Sequence, residues 1–430
     1  MKKALSFILA ILMILSTLAF AVSCGDSDAD TDSSANGDDT SANTSGGTQN
    51  PPSNSNGGGD SSKPVFLPND NDSTDPADIK TTSRALLSSV RVVAHFERYL
   101  GYGQTSLSKT DKESAGVIYK LDREAGNAYI ITNFHAIYLK DAVSPNHVSD
   151  NIEIFLYGQE SQSYAIKATY VGGSLAGEVA VLKVTGSEVI KHSHASAVTP
   201  ADSNELRVFD SVFAIGNPAD RGLAATNGIV SVENDNISIL GADGKTTIQL
   251  RTIRTNAVLG EDENSGGGLF NKNGGLVGIL VPKTSGDNIN NMSYAIPSNV
   301  ATRIADILIE AQATSVTVGY KKYQLGITME SSASGVIIDE LTGAATKIEQ
   351  IRISAIQDSS PLSGFAQVGD IITAISVDNG DEMSVIAMHN VIEEMLKARL
   401  GSKVTLTIQR DGEYLTKTVT VTESMLTPVA

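Results

Sequence analysis

The chain has 430 residues, a single cysteine and a formal charge of −17, from 49 acidic against 32 basic side chains. That length can hold two or three domains with a sizeable core. The charge argues against nucleic acid, which needs a basic footprint, and against adhesion to anionic lipid through surface charge. The lone Cys24 excludes an intramolecular disulfide and a cysteine-based zinc site.

The N-terminus reads as a targeting segment. Lys2-Lys3 precede an apolar run from Leu5 to Val22, and small residues lead to the cysteine. Ala21-Val22-Ser23-Cys24 resembles a bacterial lipobox, which implies lipidation of Cys24 and a mature chain beginning there. Residues 1–23 are then a lipoprotein signal peptide, and the protein belongs on the extracytoplasmic face of a bacterial cell membrane. Residues 24–79 are rich in Asp, Ser, Gly, Asn and Thr and have few apolar side chains. Such a stretch cannot bury enough surface to offset its ordering entropy, and it reads as an acidic, flexible tether.

From Thr81 to about Thr314 short β-branched runs alternate with Gly, Asn and Asp turns. Ser89–Ala94, Ala128–Ile131, Ile152–Leu156, Val179–Val184 and Gly275–Leu280 read as strands, and many short strands at such spacing predict an all-β barrel or sandwich. Ser298–Ala313 predicts a helix with Ser298 as N-cap and Val300, Ile304, Ile307 and Leu308 on one apolar face. His192-Ser193-His194 is the only close histidine pair and reads as a polar loop rather than a metal site.

From Val318 to Glu423 the pattern changes to a smaller α+β unit. Val368–Ile375 is a turn into a strand, Ser384–Leu400 has helical periodicity, and Val404–Ile408 and Leu415–Val421 form a hairpin about Asp411-Gly412.

Two segments carry chemistry. Asn264-Ser265-Gly266-Gly267-Gly268 puts a serine on a tight glycine turn, and Ile131-Thr132-Asn133-Phe134-His135 ends an apolar strand in a histidine. A serine hydroxyl is a weak nucleophile unaided. It needs a base to take its proton, a carboxylate to orient the imidazole, and N–H groups to receive the oxyanion.

Four blocks then resemble one family. Ile131–His135 is similar to T-N-x-H; Ala214-Ile215-Gly216-Asn217-Pro218 with Gly228-Ile229-Val230-Ser231 to I-G-N-P and G-I-V-S; Asn264–Asn271 to G-N-S-G-G-P-L-F-N; and Tyr294–Asn299 to F-A-I-P-S-N. The chain resembles HtrA/DegP serine proteases over residues 85 to 424. The resemblance implies a mainly β protein: a chymotrypsin-like double β-barrel protease domain at residues 80–315 and an α+β PDZ domain at 318–424. It implies Ser265 as nucleophile, His135 as base, and Glu178 in the place of the family's aspartate. The N–H groups of Glu263 and Ser265 would form the oxyanion hole, although the family has glycine where Glu263 stands. The run before Ser265 is one residue longer than the family's and carries carboxylates at 261 to 263. Met292, Ser293 and Tyr294 correspond to the strand along which substrate pairs. Leu325, Gly326 and Ile327 belong to a Y-x-L-G-[IV] loop that would catch a peptide C-terminus, with a groove helix near Val391 to Leu396.

The implied function is an extracytoplasmic, membrane-tethered endopeptidase acting on unfolded or signal-marked polypeptides through an acyl-enzyme, without cofactor or metal, as a homotrimer whose contacts come from the segment around the first strand, where Leu86, Leu87 and Phe96 are available for self-association. The alternative is a catalytically weak or inactive peptide-binding chaperone or sensor. Glu178 and Glu263 discriminate between the two.

Overall fold

A computed structural model describes residues 76–99, 106–257, 264–281, 291–311, 319–341, 343 and 345–429. Cys24 and Glu263 lie outside these residues. Helix α1 (Pro76–Leu87) starts inside the stretch that the composition assigns to the tether. A proline in the first turn suits a helix start, because its missing N–H would have no partner there. Ala85 of α1 is buried in the core.

Six strands follow: β1 (Ser89–Tyr99), β2 (Leu107–Asp122), β3 (Asn127–Thr132), β4 (Asn151–Leu156), β5 (Ile166–Ser174) and β6 (Val179–Val184). They close into an antiparallel barrel in the order β1-β2-β3-β6-β5-β4. The short helix α2 (Glu188–Lys191) leads out of it, capped by the Ser187 hydroxyl. The second barrel contains β7 (Thr199–Pro200), β8 (Ser211–Gly216), β9 (Ala224–Leu240), β10 (Thr247–Thr255), β11 (Gly268–Asn271), β12 (Gly275–Val281) and β13 (Ser293–Pro297). Its order is β11-β8-β9-β10-β13-β12, closed by β11 on β12, with β7 at the side of β12.

The continuous apolar runs of the first barrel have a geometric cause. Successive strand side chains point to opposite faces. In β2, β3 and β6 the residues Ile118, Ile130, Ala180 and Leu182 fill the barrel interior. Their neighbours Val117, Ile131, Val179 and Val181 face a second core shared with the other barrel. Both faces are therefore dry, and fully burying each such aliphatic side chain stabilises the fold by roughly 1.5–3 kcal/mol. Phe96 also points into the first barrel and is 3 % exposed. The expectation that it is free for self-association is corrected, because β1 alternates and Phe96 falls on the inner face.

Helix α3 (Ser298–Ala311) seals the shared core with Ala301, Ile304, Ala305 and Leu308. The Ser298 hydroxyl donates to the Ala201 carbonyl at 2.7 Å, tying the helix start to the second barrel.

The C-terminal unit contains β14 (Tyr320–Tyr323), β15 (Ile327–Ile338), β16 (Ala345–Ile356), β17 (Ile371–Val377), β18 (Met383–Ser384), helix α4 (Met388–Met395), β19 (Lys403–Arg410), β20 (Glu413–Thr420) and β21 (Leu426–Val429). The main sheet runs β15-β16-β17-β19-β20, and β14 pairs with β21. Asp411 and Gly412 take φ of 49° and 87° in the β19–β20 turn, the left-handed pair a two-residue hairpin requires. The helix is shorter than its periodicity suggested. Ser384 is taken by a strand pairing with β17, and the side chain of Asn390 accepts from the N–H groups of Ile386 and Ala387 at its start.

Candidate active site

The histidine is placed by the end of β3. The Thr132 hydroxyl donates to the Ala115 carbonyl of β2 at 2.7 Å, and the chain turns out of the sheet immediately afterwards. Phe134 and Ala136 are 1 % and 2 % exposed, so they nail the turn to the core on both sides of His135. Lys112 on β2 donates to the carbonyls of His135 and Tyr138, each at 3.0 Å. The imidazole remains the one partly exposed group of this turn, at 22 %.

Glu178 enters from the residue before β6. Its Oε2 lies 2.8 Å from His135 Nδ1 and also accepts the His135 backbone N–H at 3.4 Å. The carboxylate side chain is 1 % exposed. An ionised carboxylate only accepts, so the contact assigns the proton to Nδ1 and leaves Nε2 with its lone pair free. That is the tautomer a general base needs. The Glu178 backbone adopts φ of 50°, in the left-handed region.

Ser265 sits on a turn clamped from two sides. Ala115 donates its N–H to the Ser265 carbonyl at 2.9 Å, Gly266 donates to Leu280 at 2.9 Å, and Leu280 donates to Gly267 at 2.8 Å. The glycines are needed for this fit. A Cβ on Gly266, whose φ is 84°, would stand 2.2 Å from the Ala115 carbonyl and 2.4 Å from the Thr132 hydroxyl. One on Gly267 would stand 2.1 Å from the Ile215 carbonyl. The serine turn is thus pressed directly onto the strand end that carries the histidine. Ser265 is 2 % exposed and its Oγ has no hydrogen-bond partner.

A further carboxylate lies two residues before Ala115 on β2. Burial pushes the Glu113 carboxyl above its usual range, Arg91 opposes that shift, and Asp220 adds to it. Arg91 Nε is 3.1 Å from Glu113 Oε2.

The predicted substrate strand is corrected at Tyr294. That residue is 1 % exposed, and β13 is bonded there to Arg254 of β10 on one side and Val281 of β12 on the other. No free edge remains at Tyr294, because closing the barrel consumes both. Met292 and Ser293 are half-buried at the entrance to the strand.

In the C-terminal unit Leu325 is 4 % exposed and Gly326 is left-handed at φ 64°. Ser360 Oγ donates to the Leu325 carbonyl at 2.6 Å and Gln357 N–H to that of Gly326 at 2.9 Å. Ile327 then opens β15, an edge strand of its sheet, and α4 packs against it. Among the described residues no group of three or more His, Cys, Asp or Glu side chains is arranged to hold a metal ion.

Residues 114–279 match the trypsin-like peptidase domain, a span that contains His135, Glu178 and Ser265. The chain is also 29 % identical over 352 residues to the serine protease Do-like HtrA of Bacillus subtilis (strain 168), covering 79 % of this chain and 71 % of that protein. The chain carries a trypsin-like peptidase domain and is similar to HtrA serine proteases. A second HtrA relative, from Lactococcus lactis subsp. lactis (strain IL1403), is 27 % identical over 76 % of each chain. The solved structure of the HtrA-type protease AlgW with tripeptide aligns with a TM-score of 0.50 and 22 % identity, covering 83 % of this chain and 99 % of that one, a likeness of fold. This HtrA homologue is accordingly a serine-type endopeptidase with a mainly β, double-barrel protease fold.

Sequence reasoning had read Asn133 only as a letter of its motif and had not picked out Lys112. No spacing rule points to either, because their partners lie 23 to 45 residues away. Arg251 and Glu393, joined between the second barrel and α4, were equally invisible.

Proposed function

We propose that Ser265 is the nucleophile of this HtrA-type endopeptidase, His135 its general base and Glu178 the carboxylate that orients the base. On substrate binding, His135 Nε2 accepts the Ser265 proton as Oγ attacks the scissile carbonyl. Glu178 stabilises the imidazolium that forms. The N–H groups of Ser265 and Glu263 receive the oxyanion. The imidazolium then protonates the leaving amine, and a water deprotonated by His135 releases the acyl-enzyme. The observation that carries this reading is the 2.8 Å contact between Glu178 and His135, beside the clamped turn of Ser265. It supports an enzyme over a silent peptide-binding relative, since the glutamate reaches the histidine despite its added length.

The substrates are unfolded or signal-marked polypeptides. The C-terminal unit acts as a PDZ domain: a peptide C-terminus docks at Leu325-Gly326-Ile327 and its chain adds along the edge of β15 beneath α4. Cys24 is lipidated and anchors the protein on the extracytoplasmic face of a bacterial membrane, with the acidic tether as spacer. The test is labelling of the full chain with a fluorophosphonate probe across neutral pH, beside Ser265→Ala. Labelling of the wild type alone is expected; a folded wild type that takes no label overturns the reading.

A further inference from the structure

We propose that Asn133 is a positioning residue of this active site, holding the backbone of Glu178 and through it the carboxylate that orients His135. The inference rests on the triad roles proposed above and adds a fourth residue to them.

Asn133 stands between the end of β3 and His135 and is 0 % exposed. Its Nδ2 donates to the backbone carbonyl of Glu178 at 2.8 Å across 45 positions of sequence. Its Oδ1 is buried with no hydrogen-bond partner. A buried amide that satisfies only one end is costly compared with an apolar residue of like size. A fold that needed only packing here would be better served by such a residue. The one bond that Asn133 does make points to the carboxylate partner of the base.

Glu178 has an unusual backbone for its type. Left-handed φ is rare outside glycine, asparagine and aspartate, and glutamate has no short polar group to support it locally. The support comes from elsewhere. The carbonyl end of Glu178 is held by Asn133, and its carboxylate end by the Nδ1 and N–H of His135, two residues further along the same turn. Carbonyl and carboxylate are thus both fixed to one short segment. A glutamate has one more rotatable bond than an aspartate, so its carboxylate has more ways to miss the imidazole. Pinning the backbone removes much of that freedom, and the left-handed turn accommodates the added methylene. Asn133 touches no reacting atom, so its effect runs through Glu178.

The experiment compares wild type, Asn133→Ala, Asn133→Asp and Ser265→Ala as full chains, with three readouts: thermal midpoint, fluorophosphonate labelling rate against pH, and the far-downfield proton resonance of a histidine Nδ1–H held by a carboxylate. Asn133→Ala is expected to lower the plateau labelling rate about 10²-fold, the scale of a misplaced catalytic group. It should also move the acid limb to lower pH, because a misaligned carboxylate stabilises the imidazolium less, and erase the resonance. Asn133→Asp keeps the volume and removes the donor, so it decides the matter where alanine fails to fold; its plateau rate and resonance should fall likewise. A purely structural asparagine would lower the thermal midpoint while leaving rate, limb and resonance as in wild type, and that result overturns the proposal. A folded wild type that takes no label is instead a failure of the triad reading, and the resonance then still decides whether Asn133 places Glu178.

Discussion

Arg251 of β10 forms an ion pair with Glu393 of α4, and Glu393 is 1 % exposed. Asn204 Nδ2 donates to the other oxygen of Glu393 at 3.0 Å, and Arg303 of α3 donates to its backbone carbonyl at 2.7 Å. A buried charge of the C-terminal unit is thus satisfied wholly by the protease barrel and its closing helix. Glu393→Ala leaves Arg251 buried without its partner, and breaking such a pair costs about 3–5 kcal/mol. Replacing both residues by methionine should cost much less, because the desolvation of both charges disappears. Thermal or denaturant unfolding of Glu393→Met, Arg251→Met and the double variant measures the coupling.

Replacing Glu178 separates charge from shape. Glu178→Gln keeps the length and loses the negative charge that fixes the tautomer, and should lower the turnover rate by about 10⁴-fold. Glu178→Asp keeps the charge but draws it back by one methylene, and should lose less. Peptidase turnover at saturating substrate ranks the three proteins; equal rates for Gln and wild type would remove Glu178 from the machinery.

Gly267→Ala should abolish labelling of Ser265 and destabilise the second barrel. The new Cβ would meet the Ile215 carbonyl at 2.1 Å, and that carbonyl belongs to β8, a strand with little room to yield. Overpacking of this kind typically costs about 1–3 kcal/mol. The contrast is Gly364→Ala, where the added carbon meets nothing within 4 Å and only the φ of 78° resists. A calorimetric comparison of the two separates steric from conformational cost.

Acid stability should depend on His389. Burial first, and then the charge of nearby Arg251, hold its imidazole far below the ordinary 6.5, at about 3. In the unfolded chain it takes up a proton near pH 6.5. The stabilisation is therefore complete above that pH and drains as pH falls towards 3, at up to about 1.4 kcal/mol per pH unit. His389→Gln should flatten the stability curve between pH 6.5 and 4. Below about pH 4 a second loss joins in. Burial of Glu153 is outweighed by bonds from Lys167, Gln162 and His95, which set its carboxyl at about 2. Burial of Asp370 is likewise outweighed by Arg410, which holds that carboxyl below its usual range. Both carboxylates contribute stability that is lost as they protonate. Chemical denaturation midpoints at stepped pH read both effects.

Strands were legible wherever the chain writes burial into residue type. Val179–Val184 matched its predicted bounds, and the Asp411-Gly412 hairpin was legible because only certain residues accept left-handed backbone. Phe96 was misplaced because an aromatic on a strand looks the same from sequence whether it points in or out. Tyr294 was misread for a related reason: a strand's free edge depends on which neighbours the barrel brings to it.

The sequence by itself determined the chemistry available to this protein: a serine on a glycine turn, a histidine at a strand end, and a carboxylate heading an apolar strand, in the order of a known family. Those are local facts, set by residue type and by what backbone each residue tolerates. Only the tertiary structure decided that Glu178 reaches His135, that Asn133 grips the glutamate from behind, and that Glu393 is held by the protease barrel. Each of these joins residues from 43 to 142 positions apart. Their distances follow from how the strands close into barrels, a collective outcome of packing that no single segment encodes.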